Sequence, residues 1–340
     1  MRFAIVTADN SLAIYWEHVV AVTDDGYEVL DLRTGEDVTF YDHRVSQYFQ
    51  RARRRDQEMT SLELTSSGTA DFNEGSVYFI GNATTLIRFG GLTILTDPAF
   101  LHIGEHVYLG HGIWARREVE PACQIADLPP IDLIVLSHYH GDHFDDVAAQ
   151  ELDKKLPIVS TADAVDKLSA LGFQRGYALD TWESMKVHKG DATLNITAMP
   201  AKHATEEEVN ELLMPVNGHL LDFSRSGDQL YRLYITGDTM LVDSLEDIPR
   251  RYPDIDLGLI HTGGTTFLVT VVTMTGEQGV RAVEITKPRT AIPIHYNDFS
   301  VFLSGLDDFK KAAQASTTTT KFVYLAHGET YTFTPNSEIS

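Results

Sequence analysis

The chain has 340 residues, 43% hydrophobic and 22% charged, the proportions of an ordinary globular protein with room for a substantial core. Its 49 acidic and 27 basic residues leave a net charge of −22, which argues against non-specific nucleic-acid binding and against attraction to anionic membrane surfaces. The single cysteine, Cys123, excludes an intramolecular disulfide and a thiolate metal cage.

The opening stretch MRFAIVTADNSLAIYW has one arginine and no unbroken apolar run of signal-peptide length. No segment reaches the roughly 20 apolar residues of a membrane span. The expectation is a cytoplasmic protein without stable membrane insertion. Residues 1–75 read as an N-terminal appendage of short strands and a helix. Ala13–Val22 and Tyr27–Leu32 are strand candidates around the turn signal Asp24-Asp25-Gly26. A polar, helix-compatible stretch follows around Val45–Arg55, whose basic run Arg51–Arg55 reads as a solvated face. A Ser/Thr/Gly/Asp linker runs from Thr65 to Gly75.

Residues 76–340 read as one further domain. Ser76–Ile80, Thr85–Phe89 and Leu92–Thr96 are closely spaced strand candidates, the last two joined by the tight turn Gly90-Gly91. Phe100–Pro121 has no clear period, and a long irregular loop in a compact domain is often functional. It is expected to roof a pocket, with Trp114, Arg116 and Arg117 as substrate-binding candidates and the arginines available for an anionic group. Ile131–Leu136 is continuously apolar, as in a strand buried on both faces. Asp145–Asp153 and Thr161–Leu171 read as helices, the second ended by Gly172. Further strands are expected at Leu194–Met199, His219–Phe223, Tyr231–Thr236, Leu257–His261 and Thr290–Ile294, and a helix at Gly276–Lys287 ended by Pro288. Strand clusters alternating with helices point to a layered α/β or α+β domain, sheets inside and helices outside.

The chemistry concentrates in Ser137-His138-Tyr139-His140-Gly141-Asp142-His143, directly after the apolar run ending at Leu136. A rigid strand delivers the chain to a sheet edge, where the next loop bears functional groups. Imidazole and carboxylate suit Zn²⁺, Mn²⁺ or Fe²⁺. Gly141 is expected to give the loop the backbone freedom needed to wrap its ligands around close ions. Four ligands do not close two sites, so further ones should follow later strands. His203, Asp238 and His295 stand just past Leu194–Met199, Tyr231–Thr236 and Thr290–Ile294. His261, at the end of another strand, could bind substrate, donate a proton or support a ligand; Tyr296 could supply a hydroxyl to an oxyanion or pack in the core.

With the turn Leu95-Thr96-Asp97-Pro98, the 138–143 cluster, His203, Asp238 and His295, the sequence resembles the metallo-β-lactamase superfamily over roughly residues 76–330. The resemblance implies an α+β fold, a four-layer αββα sandwich, here with an extra N-terminal segment. It also implies that His138, His140 and His203 hold one metal, that Asp142, His143 and His295 hold a second, and that Asp238 bridges them. The stretches Gly81-Asn82-Ala83-Thr84, Leu128-Pro129-Pro130-Ile131-Asp132 and Thr290–Tyr296 look most like the branch with ascorbate-6-phosphate lactonase and the N-acyl-phosphatidylethanolamine phospholipase D type, although that branch commonly has histidine at the position of Asn82. Asp238 stands where the best-known β-lactamases carry cysteine, and His140 where flavo-diiron oxidoreductases carry glutamate. Hydrolysis is therefore expected ahead of redox chemistry. The expected function is a dinuclear metal-dependent hydrolase, zinc being the first choice of ion, using a metal-bridging hydroxide on a small-molecule lactone, ester or phosphodiester. Asp142 would orient the nucleophile and shuttle its proton. The alternatives are a di-iron oxidoreductase and a non-catalytic metal-binding protein. A homo-oligomer is compatible with the sequence.

Overall fold

A computed structural model describes residues 61–65 and 70–335, together with four earlier strands. Those four, Ala4–Val6 (β1), Ala13–Ile14 (β2), Val19–Thr23 (β3) and Gly26–Val29 (β4), form a sheet of order β2-β1-β3-β4 within a unit spanning residues 1–59. β2, most of β3 and most of β4 fall within the expected strand regions, while β1 lies ahead of them and was not expected. The expected helix around Val45–Arg55 and the Asp24-Asp25 turn lie outside the described residues.

The second unit spans residues 60–340. Its first strand, Ser61–Leu64 (β5), lies before the expected boundary at residue 75 and pairs in parallel with Ser184–Lys189 (β14). The sheets of this unit therefore begin earlier than composition suggests. Gly75–Gly81 (β6), Thr84–Phe89 (β7) and Leu92–Thr96 (β8) form an antiparallel meander. Gly90 and Gly91 make its second turn with φ of 59° and 75°, the two positive angles of a tight hairpin that glycine adopts without strain. Two further strands, His106–Gly110 (β9) and Ile113–Arg116 (β10), make a separate hairpin within the stretch expected to be irregular.

Leu133–Val135 (β11), Ile158–Ser160 (β12) and Gly176–Ala178 (β13) extend the meander in parallel, and Thr330–Phe333 (β23) closes its other edge. The order is β13-β12-β11-β8-β7-β6-β23. The opposing sheet contains Ala192–Met199 (β15), Gly218–Arg225 (β16), Asp228–Ile235 (β17), Leu257–His261 (β18), Thr290–Ile294 (β21) and Lys321–Phe322 (β22). Its order is β22-β21-β18-β17-β16-β15-β14-β5. The short strands Thr266–Phe267 (β19) and Thr270–Val271 (β20) form a hairpin off its edge.

Side-chain alternation explains the layers. Ile94, Leu133 and Val135 face the other sheet and pack with Ile196, Leu233 and Leu259 in the central core. Their neighbours Leu95 and Ile134 point outward, onto Ala148 and Leu168 of the helices Asp146–Glu151 and Ala162–Ala170. On the far side Ile260 and Ala291 pack against Val283 of helix Gly276–Thr286 and Phe309 of helix Leu306–Ala315. The inner strands β11, β18 and β21 are buried on both faces and read as near-continuous apolar runs. The unit is the expected helix–sheet–sheet–helix sandwich, and its core lies between the sheets.

Candidate metal centre

Strand direction brings the ligands together. β8, β11 and β12 run parallel, as do β17, β18 and β21, while β15 is antiparallel to β16 and β16 to β17. The loops after β8, β11, β15, β17 and β21 carry Asp97, the 138–143 cluster, His203, Asp238 and His295, and His261 is the last residue of β18. Three-residue groups close enough to hold an ion are His138/His140/His203, Asp142/His143/His295, His138/His143/Asp238 and Asp97/His143/His261. The seven expected ligands thus converge, and Asp238 lies against both sets.

The tautomers follow from the surrounding hydrogen bonds. Nδ1–H of His295 donates to the Thr262 carbonyl (2.8 Å), which leaves Nε2 as a lone pair. That lone pair faces His143 Nε2 at 3.1 Å and Asp142 Oδ2 at 3.3 Å. Asp238 Oδ2 is 3.3 Å from the same His143 nitrogen and accepts from the Thr273 hydroxyl at 3.2 Å. In the first set His138 Nε2 stands 2.7 Å from His140 Nδ1, while Nε2 of His203 is buried without a partner, as is Oδ1 of Asp238. Buried polar atoms are normally paired, so orphaned donor atoms of this kind fit a cation.

The electrostatics agree. Burial and neighbouring imidazoles hold His138 well below its ordinary pKa, and burial takes His140 down to about 3, so both offer neutral nitrogen at pH 7. Burial opposes ionisation of Asp238, but the imidazoles of His295 and His143 outweigh it and keep the carboxyl well below the usual range. Burial also opposes charge on His143 and His295, yet Asp238 and Asp142 outweigh it and raise both. The second set therefore attracts positive charge, and a divalent cation would supply it.

Behind the ligands stands Asp97, buried to 1% exposure, to which the sequence reading gave no role. Its Oδ1 accepts from the Ser137 amide at 2.7 Å, and its Oδ2 lies 3.5 Å from His143 Nδ1 and 3.4 Å from His261 Nε2. Asn82 was also missed as a support: Nδ2 donates to the Asp142 main-chain carbonyl (2.6 Å), and the Asn82 main-chain carbonyl accepts from the His295 amide (2.9 Å). Both residues directly follow strands on the ligand edge, which was the available signal.

The expected pocket exists, but its lining differs from the expectation. His140, Asp142, His203 and Asp238 floor a 40 Å³ cavity, room for a few waters, and the β9–β10 hairpin covers it with Leu109, Gly110, His111 and Ile113. Trp114 is 61% exposed, packs at a tilt against Tyr108 and does not line it. Arg116 is exposed and paired with Glu118. Arg117 is fully buried, its guanidinium donates to Asp298 Oδ1 (3.0 Å) and to the Ala99 and Val119 carbonyls, and it does not line the cavity. Tyr296 is a core residue whose hydroxyl donates to the Leu325 carbonyl (3.3 Å), away from the cavity lining. His261 is buried behind His143, with Nδ1 3.2 Å from the Thr236 hydroxyl, and does not line the cavity. Larger grooves elsewhere, such as one of 820 Å³ beside Gln278 and Asp308, hold none of the candidate ion groups among the described residues.

Gly141 also works differently from expectation. Its φ is not positive, but a Cβ there would meet Val107 Cγ2 at 2.2 Å and the Tyr108 carbonyl at 2.7 Å. The missing side chain allows close approach of the ligand loop to the roof.

Comparison with known proteins places this geometry. A UPF0173 metal-dependent hydrolase of Pelotomaculum thermopropionicum is 29% identical over 245 residues, covering 71% of this chain and 92% of the relative. An isothiocyanate hydrolase from Delia radicum gut bacteria superposes with a TM-score of 0.64 at 21% identity, over 76% of this chain and 99% of that one. The diiron β-hydroxylase CmlA of Streptomyces venezuelae shares the fold more loosely, with a TM-score of 0.52 at 16% identity over 77% of this chain and 54% of that one. Residues 93–296 match the family described as the beta-lactamase superfamily domain, so the chain belongs to the beta-lactamase superfamily, in its metallo-β-lactamase fold.

Proposed function

We propose that the chain is a dinuclear metal-dependent hydrolase acting on a lactone, ester or phosphodiester. The observation that carries this reading is the convergence of two His/Asp groups on one cavity floor, with Asp238 touching both. The names of the curated relatives support hydrolysis. The three candidate bond types rest on the likeness of Gly81–Thr84, Leu128–Asp132 and Thr290–Tyr296 to the lactonase and phospholipase D type branch.

When bound, two divalent cations act as Lewis acids and bring the pKa of a shared water to about 7. His138, His140 and His203 would hold one ion, and Asp142, His143 and His295 the other. Asp238 would join the pair, held in place by the Thr273 hydroxyl. Asp142 reaches the cavity floor with Oδ2 set against His295 and His143, so Oδ1 is the atom left to take the water's proton and return it to the leaving group. The hairpin covers part of the cavity, and reduced access of bulk water strengthens each of these interactions.

The test is to strip the full chain with a chelator, reload it with zinc, manganese or iron, and assay bis(p-nitrophenyl) phosphate and a lactone set. Turnover restored by zinc, which has no redox chemistry, supports hydrolysis over the di-iron reading. A fully loaded protein inactive across the panel overturns the proposal.

A further inference from the structure

The walls of the cavity differ in kind from its floor. Leu109 and Ile113 of the roof hairpin, Leu213, and Phe267 and Val272 around the β19–β20 hairpin give apolar surface. The polar part of the wall is the three hydroxyl residues Thr265, Thr266 and Thr273, and Thr273 is already engaged with Asp238. His111 is the titratable group of the wall, and its Nε2 bonds to the Leu212 carbonyl at 2.7 Å while its ring packs on Phe267. No lysine or arginine lines the cavity among the described residues. The cations on flanking segments are engaged elsewhere: Arg117 with buried Asp298, Arg116 with Glu118, and Lys202 with Glu207 at 2.7 Å. Exposed apolar side chains continue outward from two of the lining residues, Trp114 beside Ile113 and Leu268 beside Phe267, at 61% and 76% exposure.

A carboxylate or phosphate on the non-reacting part of a substrate would enter this wall without a counter-charge, and an unpaired charge buried against apolar groups is strongly disfavoured. The net charge of −22 adds no long-range attraction for an anion. Resting on the hydrolase reading above, we infer that the group flanking the scissile bond of the substrate is apolar and uncharged, and that the site discriminates against substrates carrying an anion beyond the reacting group.

The test compares matched pairs on the metal-loaded full chain. Turnover is measured on p-nitrophenyl butyrate against p-nitrophenyl hemisuccinate, and on γ-octalactone against the same lactone with a terminal carboxylate. Binding is measured separately with butyrohydroxamate against the monohydroxamate of succinic acid, because hydroxamates chelate the ions whether or not the protein catalyses anything. The expected result is at least a tenfold preference for the neutral member, in kcat/KM and in Kd. Thr266→Lys, on an exposed lining position, should narrow that preference at least threefold by supplying a cation. A preference below threefold, a preference for the anion, or a Thr266→Lys variant with the wild-type ratio overturns the inference. Tighter binding of the neutral hydroxamate without turnover on either pair would exclude ester and lactone hydrolysis while leaving the selectivity of the wall established.

Discussion

Replacing Asp97 with asparagine should weaken the second metal set without unfolding the chain. The Asp97 carboxylate is buried and does three things at once: Oδ1 accepts from the Ser137 amide at 2.7 Å, and Oδ2 lies within 3.5 Å of His143 Nδ1 and within 3.4 Å of His261 Nε2. Asparagine keeps a carbonyl oxygen for the Ser137 amide. Its NH₂ would then face the two imidazole N–H groups, donor against donor, and His143 would lose the charge that fixes its tautomer. Partners that orient a ligating histidine typically contribute about 10–100-fold in metal affinity. That is about 1.4–2.7 kcal/mol at the site that uses His143. Titration of chelator-stripped protein against a chromophoric competitor resolves the two equivalents. The second equivalent should weaken by that factor, the first should stay within about threefold, and the melting temperature serves as the folding control. Both affinities unchanged within twofold would refute the supporting role of Asp97.

Three further outcomes follow from the same geometry. Gly141→Ala should lower kcat/KM at least tenfold with both metal equivalents retained, because the new methyl would push on Val107 and Tyr108 of the roof; metal-loaded activity equal to wild type would contradict the close approach. Tyr296→Phe should leave kcat/KM within twofold and lower stability by about 1 kcal/mol, the net worth of one hydrogen bond to the Leu325 carbonyl, as read from urea midpoints. His219, inside β16, is pulled down to about 4 by burial, so it stays neutral in the folded chain while its unfolded counterpart takes a proton below about pH 6.5. Its contribution is therefore present above pH 6.5 and lost as the pH falls toward 4. In chelator-stripped protein, His219→Phe should lose about 2 kcal/mol less stability than wild type between pH 7 and pH 5, and equal losses would show that His219 is not held neutral.

The centre was legible because its residues are tied to local patterns. His138 to His143 sit within six positions after an apolar run, and His203, Asp238 and His295 each follow a run buried on both faces. Strand polarity then does what the sequence cannot state, bringing those ends to one edge. Side-chain direction was not legible. Tyr296 follows His295, whose φ of 62° turns the chain, so adjacency to a ligand carried no information about where the phenol points. The burial of Arg117 depends on Asp298, 181 residues on, and the sheet position of Ser61–Leu64 depends on β14, beyond a hundred residues away. The β9–β10 hairpin left a usable signal in Gly110-His111-Gly112, all three with positive φ, which a search for hydrophobic period passes over.

The proposed centre holds two ions that share Asp238, and anomalous X-ray diffraction from metal-loaded crystals tests that directly. Two anomalous peaks are expected, one within bonding distance of His138, His140 and His203 and one of Asp142, His143 and His295, with Asp238 reaching both. A single ion at full loading, or ions held by other residues, would contradict it.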